Sequence, residues 1–200
     1  MLKQQMKSRL AVVAIILATI VISGCASAPP RNINDICSIF EEKPSWRIPA
    51  LEASRQWKIS LPILMAIIHQ ESSFHANRRP DRTWHLGFIP GSRASSAYGY
   101  AQALDGTWRH YRSETGKEWA SRRNFSAAID FVGWYCDQSR RLCGIGRDDA
   151  FNLYLAYHEG HGGYNRGTYR QRPWLIEVAR RVRLRSELYR RQLLNCLSYW

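Results

Sequence analysis

The first apolar stretch of the chain runs unbroken from Leu10 to Ala18 and resumes after Thr19 as Ile20, Val21 and Ile22. Roughly a dozen apolar residues fall short of the roughly 20 that span a bilayer as a helix. Lys3, Lys7 and Arg9 precede the run with no acid among them, and a basic segment before a short apolar run is the pattern of a secretory signal. Beyond residue 34 the apolar positions recur at helical spacing almost throughout. Helices are predicted over 34–42, ending before Pro44, and from about Ser45 to Trp57. The next has Ser60 as N-cap and Pro62 in its first turn, with Leu61, Leu64, Met65, Ile67 and Ile68 on its buried face.

Residues 73–98 are dense in Pro, Gly, Asn, Asp and Ser and read as a long loop. Asp105 is expected to cap a helix that stops near Gly116, and Asn124 or Ser121 to open one through Ile129, Val132 and Tyr135. Asp148 starts another that ends before Gly160, with Gly162, Gly163 and Gly167 marking a second loop. A basic amphipathic helix from about Pro173 to Leu194 closes the chain. Neither strand alternation nor an internal repeat is evident, so the expected fold is mainly α around one core.

Glu71 stands out against this pattern. It lies seven residues after Leu64, four after Ile67 and three after Ile68, which places it on the apolar stripe of its helix. It also sits at the C-terminal end, where the helix dipole disfavours a negative charge. Both effects raise the pKa of a carboxyl and hold it protonated nearer neutral pH, the state a general acid requires.

Ile22-Ser23-Gly24-Cys25 follows the apolar run directly and resembles the lipobox of bacterial lipoproteins. That resemblance implies removal of residues 1–24 and acylation of Cys25, and Ala26 in place of Asp implies the outer membrane. Residues 25–33, with Pro29 and Pro30, then form a tether, and 34–200 one domain. Four cysteines remain after Cys25. In an oxidising compartment an even number points to disulfides, and the expected pairs are Cys136 with Cys143, close in sequence, and Cys37 with Cys196, near the two ends. The spacings do not form paired metal-ligand units.

The formal net charge is +13, and 13 − 3 = +10 from Cys25 onward. Such a surplus favours an anionic partner: nucleic acid, lipid headgroups or a polymer bearing carboxylates. Export argues against nucleic acid. The 8 Trp and 10 Tyr add side chains that stack well on sugar rings.

Three short segments narrow the choice. Ala66-Ile67-Ile68-His69-Gln70-Glu71-Ser72-Ser73-Phe74 resembles the catalytic Glu-Ser segment of the soluble lytic transglycosylase-like family, the goose-lysozyme-like glycosidases. Ser95-Ser96-Ala97-Tyr98-Gly99-Tyr100-Ala101-Gln102 resembles its second motif, and Ala156-Tyr157-His158-Glu159-Gly160 its third. The resemblance implies a lysozyme-like domain with a catalytic cleft, in which Glu71 is the acid–base catalyst. It further implies that Ser95 or Ser96 binds saccharide, that Gln102 orders the cleft wall, and that Tyr157 lies near the carboxylate. Tyr100-Ala101 departs from the family's Leu-Met and His158 from its Asn.

The implied substrate is the peptidoglycan glycan strand, cut between N-acetylmuramic acid and N-acetylglucosamine with closure of a 1,6-anhydro ring. Neither metal nor cofactor is called for, although His158, Glu159 and His161 also admit a metal reading. A partner in the envelope machinery has no signature here. The competing expectations are a hydrolytic muramidase that uses a second carboxylate, with Asp81, Asp105 and Glu159 nearest the motifs, and a non-catalytic wall-binding lipoprotein.

Replacing Cys25 with Ser is expected to release a soluble or unprocessed protein, because several acyl chains hold a membrane at about 0.8 kcal/mol per buried CH₂. Labelling with a palmitate analogue and membrane fractionation test this. Unlabelled wild-type protein that still pellets with membranes would show the apolar segment to be the anchor.

Overall fold

The computed structural model describes residues 28–85 and 89–196; the expected signal segment and Cys25 lie outside them. Among the described residues seven helices carry the fold: α1 (Ile36–Glu42), α2 (Arg47–Trp57), α3 (Leu61–Ser72), α4 (Asp105–Thr115), α5 (Phe125–Cys143), α6 (Ala150–Arg166) and α7 (Pro173–Cys196). Short 3-10 turns at Pro44–Trp46 and Thr168–Gln171 precede α2 and α7. The mainly α expectation holds.

The central element is α3. All eight residues from Leu61 to Ile68 are buried, so the helix has no solvent face along its first two turns. A helix that is apolar all round must be enclosed, and α2, α5 and α7 pack against it. Each buried Leu, Ile or Met contributes roughly 1.5–3 kcal/mol. The expected one-sided stripe was too narrow a reading, since Ile63 and Ala66 are as deeply buried as Leu64 and Ile67.

Local chemistry explains most boundaries. Asp35 caps α1 by accepting from the Cys37 and Ser38 amides, and Asn124 caps α5 by accepting from Ala127. The cap of α6 is Asp149 rather than Asp148; its carboxylate accepts from the Asn152 amide. Asp105 is not a cap either. It lies in the first turn of α4, and its amide donates to the Ser96 hydroxyl at 3.1 Å.

Two elements depart from expectation. Within 73–98 the chain forms a hairpin, β1 (Arg82–His85) and β2 (Ile89–Arg93), antiparallel with Arg82 opposite Arg93. Its strands are short, irregular and interrupted by Pro90 and Gly91, which conceals them from a period-two search. The glycine-rich stretch after residue 160 is helical: α6 kinks at Gly160 and continues to Arg166. Gly160 adopts φ 72° and ψ 157°, a region essentially reserved for glycine.

The two ends of the described helical domain are joined. Cys37 and Cys196 form a disulfide, as expected. Around it Gln192 accepts from the Ile36 amide at 3.1 Å and donates to the Asn34 carbonyl at 3.0 Å, while the Tyr189 hydroxyl donates to Ile33. Pro30 is already buried, so the described part of the expected tether lies docked against the domain.

The expected Cys136–Cys143 bridge is absent, and both thiols are free. The two residues lie on one continuous helix, α5, seven positions apart. That places their Cα atoms about 10 Å apart along the axis, beyond the roughly 7 Å limit for a disulfide. Sequence proximity misled because the intervening segment is helix, not a closable loop. Cys136 is wholly buried, and burial pushes its thiol well above the ordinary range.

Peptide mapping without reductant is expected to find one bridge among Cys37, Cys136, Cys143 and Cys196. Replacing Cys37 and Cys196 together with Ala should lower unfolding stability by up to about 4–5 kcal/mol, given a closed loop of about 160 residues. Denaturant titration measures this. A loss below about 1 kcal/mol would mean that the hydrogen bonds around Gln192 already hold the ends.

Candidate active site

The last turn of α3 delivers Glu71 to the floor of a cleft of about 490 Å³. Immediately afterwards the backbone turns sharply, with Ser73 and Phe74 both in left-handed conformations at φ 50° and 62°. Such positions cost an L-residue about 1–2 kcal/mol each, and core packing holds them. Phe74 is fully buried and its ring stacks on Trp46 at 5.9 Å. The turn stops the helix just after Glu71 and leads to Arg78 and Arg79, which line the cleft.

Desolvation dominates the electrostatics of Glu71. Burial pushes its carboxyl up to about 7, while a hydrogen bond from Tyr154 pulls the other way. Tyr154 is a site residue that the sequence reading missed. It lies three positions before Tyr157 on α6, so helical spacing already put both rings on neighbouring parts of one face. The Glu71 carboxylate in turn raises both tyrosines well above their ordinary range, after burial as the larger cause.

Of the expected binding residues, Ser95, Gln102 and Tyr157 line the same cleft as Glu71, and Ser96 does not. Ser96 instead caps α4 through Asp105 and lines a small neighbouring cavity. Tyr157 donates to the Ala101 carbonyl at 2.6 Å, tying α6 to the second motif. The Gln102 side-chain amide donates to the carbonyls of Arg78, at 2.9 Å, and Gly99, at 2.8 Å. The Gly99 amide also donates to Arg78 at 3.0 Å. A Cβ at Gly99 would meet the Arg122 carbonyl at 2.1 Å, so that position excludes any side chain.

The departures from the motif pattern have separate destinations. Tyr100 goes to the core, edge-on to Trp46 and Phe125, whereas His158 stays at the cleft and meets Trp174 edge-on. Among the other acids, Asp105 pairs with Arg122 at 2.7 Å and Glu159 with Arg172 at 2.7 Å. Asp81 is exposed and lines the cleft. His158 lies 3.4 Å from the Glu159 carboxylate, but His161 stacks on Tyr135 and bonds Ser139, and no metal-ligand cluster forms among the described residues.

A larger groove of about 640 Å³ lies between α2 and the segment before α5, but none of the three motifs contributes to it. Its buried acid, Asp130, is committed to Tyr111 and Lys117, each at 2.5 Å, and to Trp57 at 2.9 Å. Size alone does not mark the chemistry.

The family model described as Transglycosylase SLT domain matches residues 13–196. The chain belongs to this family. No curated protein matches it. Membership in the transglycosylase SLT-domain family supports a lytic transglycosylase-type action on peptidoglycan.

A carboxyl held at about 7 when folded, against 4.5 when free, has a definite effect on stability. The folded state keeps a proton that the unfolded chain releases, so this contribution is intact below pH 4.5 and is lost as pH rises through 7. At alkaline pH the loss approaches about 3 kcal/mol. Glu71→Gln should therefore gain stability relative to wild type between pH 4 and 8. Denaturant titrations at both pH values test this, and a pH-independent difference would show that Glu71 is not desolvated.

Proposed function

We propose that the chain is a lytic transglycosylase that uses Glu71 as its single acid–base catalyst on glycan strands. The observation that carries this reading is the desolvated Glu71 carboxyl in a cleft lined by all three motifs. Near pH 7 a useful fraction of it carries a proton, available to the glycosidic oxygen between N-acetylmuramic acid and N-acetylglucosamine. As the bond breaks, the resulting carboxylate accepts the proton of the muramyl C6 hydroxyl. That hydroxyl attacks C1 and closes the 1,6-anhydro ring. The Tyr154 hydroxyl, which donates to Glu71, stabilises the carboxylate stage of this cycle. Ser95 and Gln102 offer polar contacts along the wall to saccharide hydroxyl and acetamido groups.

Asp81 favours one rival specifically. It is an exposed carboxylate on the same cleft and could direct a water in a hydrolytic muramidase. Attack by the intramolecular hydroxyl needs no such group, which makes the transglycosylase the simpler reading of one desolvated acid. A wall-binding protein without activity would have no use for a carboxyl kept at such a cost.

The same proposal places the domain outside the cytoplasm, held at a membrane, the outer membrane by the Ala26 pattern, through acylated Cys25. Docking of the chain from Pro30 onward supports a short leash. Five residues extend at most about 18 Å, so the domain would work on wall close to its membrane.

Glu71→Gln is expected to reduce glycan cleavage by at least about a thousandfold while the protein stays folded, because the amide neither donates nor accepts the catalytic proton. The wild-type rate should fall as pH rises through about 7 and the acid deprotonates. Mass spectrometry of released muropeptides decides the reaction. Anhydro ends support the proposal, reducing ends that vanish in Asp81→Asn support the muramidase, and a fully active Glu71→Gln protein overturns both.

A further inference from the structure

The helix α7 carries a face that neither the core nor the cleft uses. Its buried residues, among them Leu175, Val182 and Tyr189, hold it against α3 and α6. At about 100° per residue, Arg180, Arg183, Leu184, Arg190, Arg191 and Leu194 fall within one arc of about 120° on the side away from the core, and all six are exposed. Leu184 and Leu194 stand out between the guanidinium groups, 55% and 73% exposed. The helix holds 6 Arg against 2 Glu, a surplus of 6 − 2 = +4. Glu177 pairs with Arg180 and Glu187 with Arg183, whereas Arg190 and Arg191 have no Asp or Glu within ion-pair distance among the described residues.

The unpaired end of this face is also where the N-terminal segment is held. The Tyr189 hydroxyl donates to the Ile33 carbonyl and the Gln192 side chain to the Asn34 carbonyl, so Arg190 and Arg191 sit between the two residues that bind it. Of the acids there, Asp35 caps α1 and Glu42 pairs with Arg31, which leaves Glu41 without an ion pair among the described residues. Pro30 is eight residues from Ile22, the end of the apolar run, a reach of at most about 28 Å. The helix itself is about 36 Å long. A membrane that holds residues 10–25 therefore lies within one helix length of this face. A tether so short presents the two surfaces to each other at an effective concentration on the order of millimolar, enough for a weak contact to form.

We propose that the outer face of α7 docks on the anionic phospholipid surface to which the chain is tethered. Arginines on an amphipathic helix suit lipid phosphates, and Leu184 and Leu194 add apolar contact at headgroup depth. None of the described helices is long and apolar enough to cross a membrane, so the contact is one of surfaces. Docking would also orient the domain, because Trp174 at the other end of α7 meets His158 at the cleft. The proposal rests on attachment through the N-terminal side. It holds equally whether acylated Cys25 or the apolar run is the anchor, and it is independent of the chemistry assigned to Glu71.

Hydroxyl-radical footprinting of the full chain, reconstituted into vesicles, tests this without a probe on the protein. The vesicles are phosphatidylcholine alone or phosphatidylcholine with phosphatidylglycerol, and Leu184 and Leu194 are read against Leu142 and Trp119, which are exposed on other elements. Oxidation of Leu184 and Leu194 should fall at least about threefold on the anionic vesicles relative to the neutral ones, with Leu142 and Trp119 unchanged. Half-molar salt should remove the protection, since it screens such contacts within a few ångströms. Arg190→Gln with Arg191→Gln should remove it as well, while the Lys pair keeps it. No protection, or equal protection on both vesicles, overturns the proposal and leaves the glycan reading untouched. Protection that extends equally to Leu142 and Trp119 overturns it too, because no one face is then selected. Protection by soluble sacculus fragments and not by vesicles would assign the face to wall carboxylates and overturn the membrane contact.

Discussion

The enclosure of α3 governs the molecule. Eight successive buried residues leave the first two turns of the helix no surface of their own, and α2, α5 and α7 pack around it. A carboxyl placed at the end of such a helix loses water on most sides, and the protonated form gains at the expense of the charged one. The desolvation of Glu71 is thus a property of the core as a whole, transmitted by the one helix that runs through its centre. The left-handed pair Ser73–Phe74 depends on the same core, because the buried ring of Phe74 anchors the turn.

The cleft wall is assembled from backbone groups more than from side chains. The Arg78 carbonyl gathers two donors from the second motif, and the Ala101 carbonyl takes the Tyr157 hydroxyl from the third. Arg122 completes the frame through the carbonyls of Ser96 and Ala103. Each such bond contributes about 0.5–1.5 kcal/mol, but leaving one of these groups unpaired would cost more. Three segments far apart in sequence are in this way made one surface, in which motif residues such as Gln102 and Gly99 hold the wall together.

The first and last described helices support each other. Gln192 bonds both Asn34 and Ile36, and the Cys37–Cys196 bridge adds a covalent limit to the same contact. Residues 33–37 therefore lie beside the last turns of α7. Glu159, paired with Arg172 and bonded to Thr168, secures the other end of α7 to α6 just before the Gly160 kink.

Helix content was legible in the sequence because spacing and caps act locally: the caps at Asn124 and the Pro62 turn concern neighbours only. Glu71 was legible for a related reason, since an acid on an apolar stripe conflicts with its surroundings whatever the fold. Tertiary structure decided what depends on distant partners. Ser95 reaches the cleft and Ser96 does not, because the latter is drawn to the start of α4. Tyr154 joins Glu71 because α6 happens to cross the end of α3 at that turn. Cys136 and Cys143, near in sequence, stay apart because helix rise separates them, while Cys37 and Cys196 meet across 159 positions because α1 packs on α7. Local rules set each segment's shape, and only the packing of those shapes brings one side chain to another.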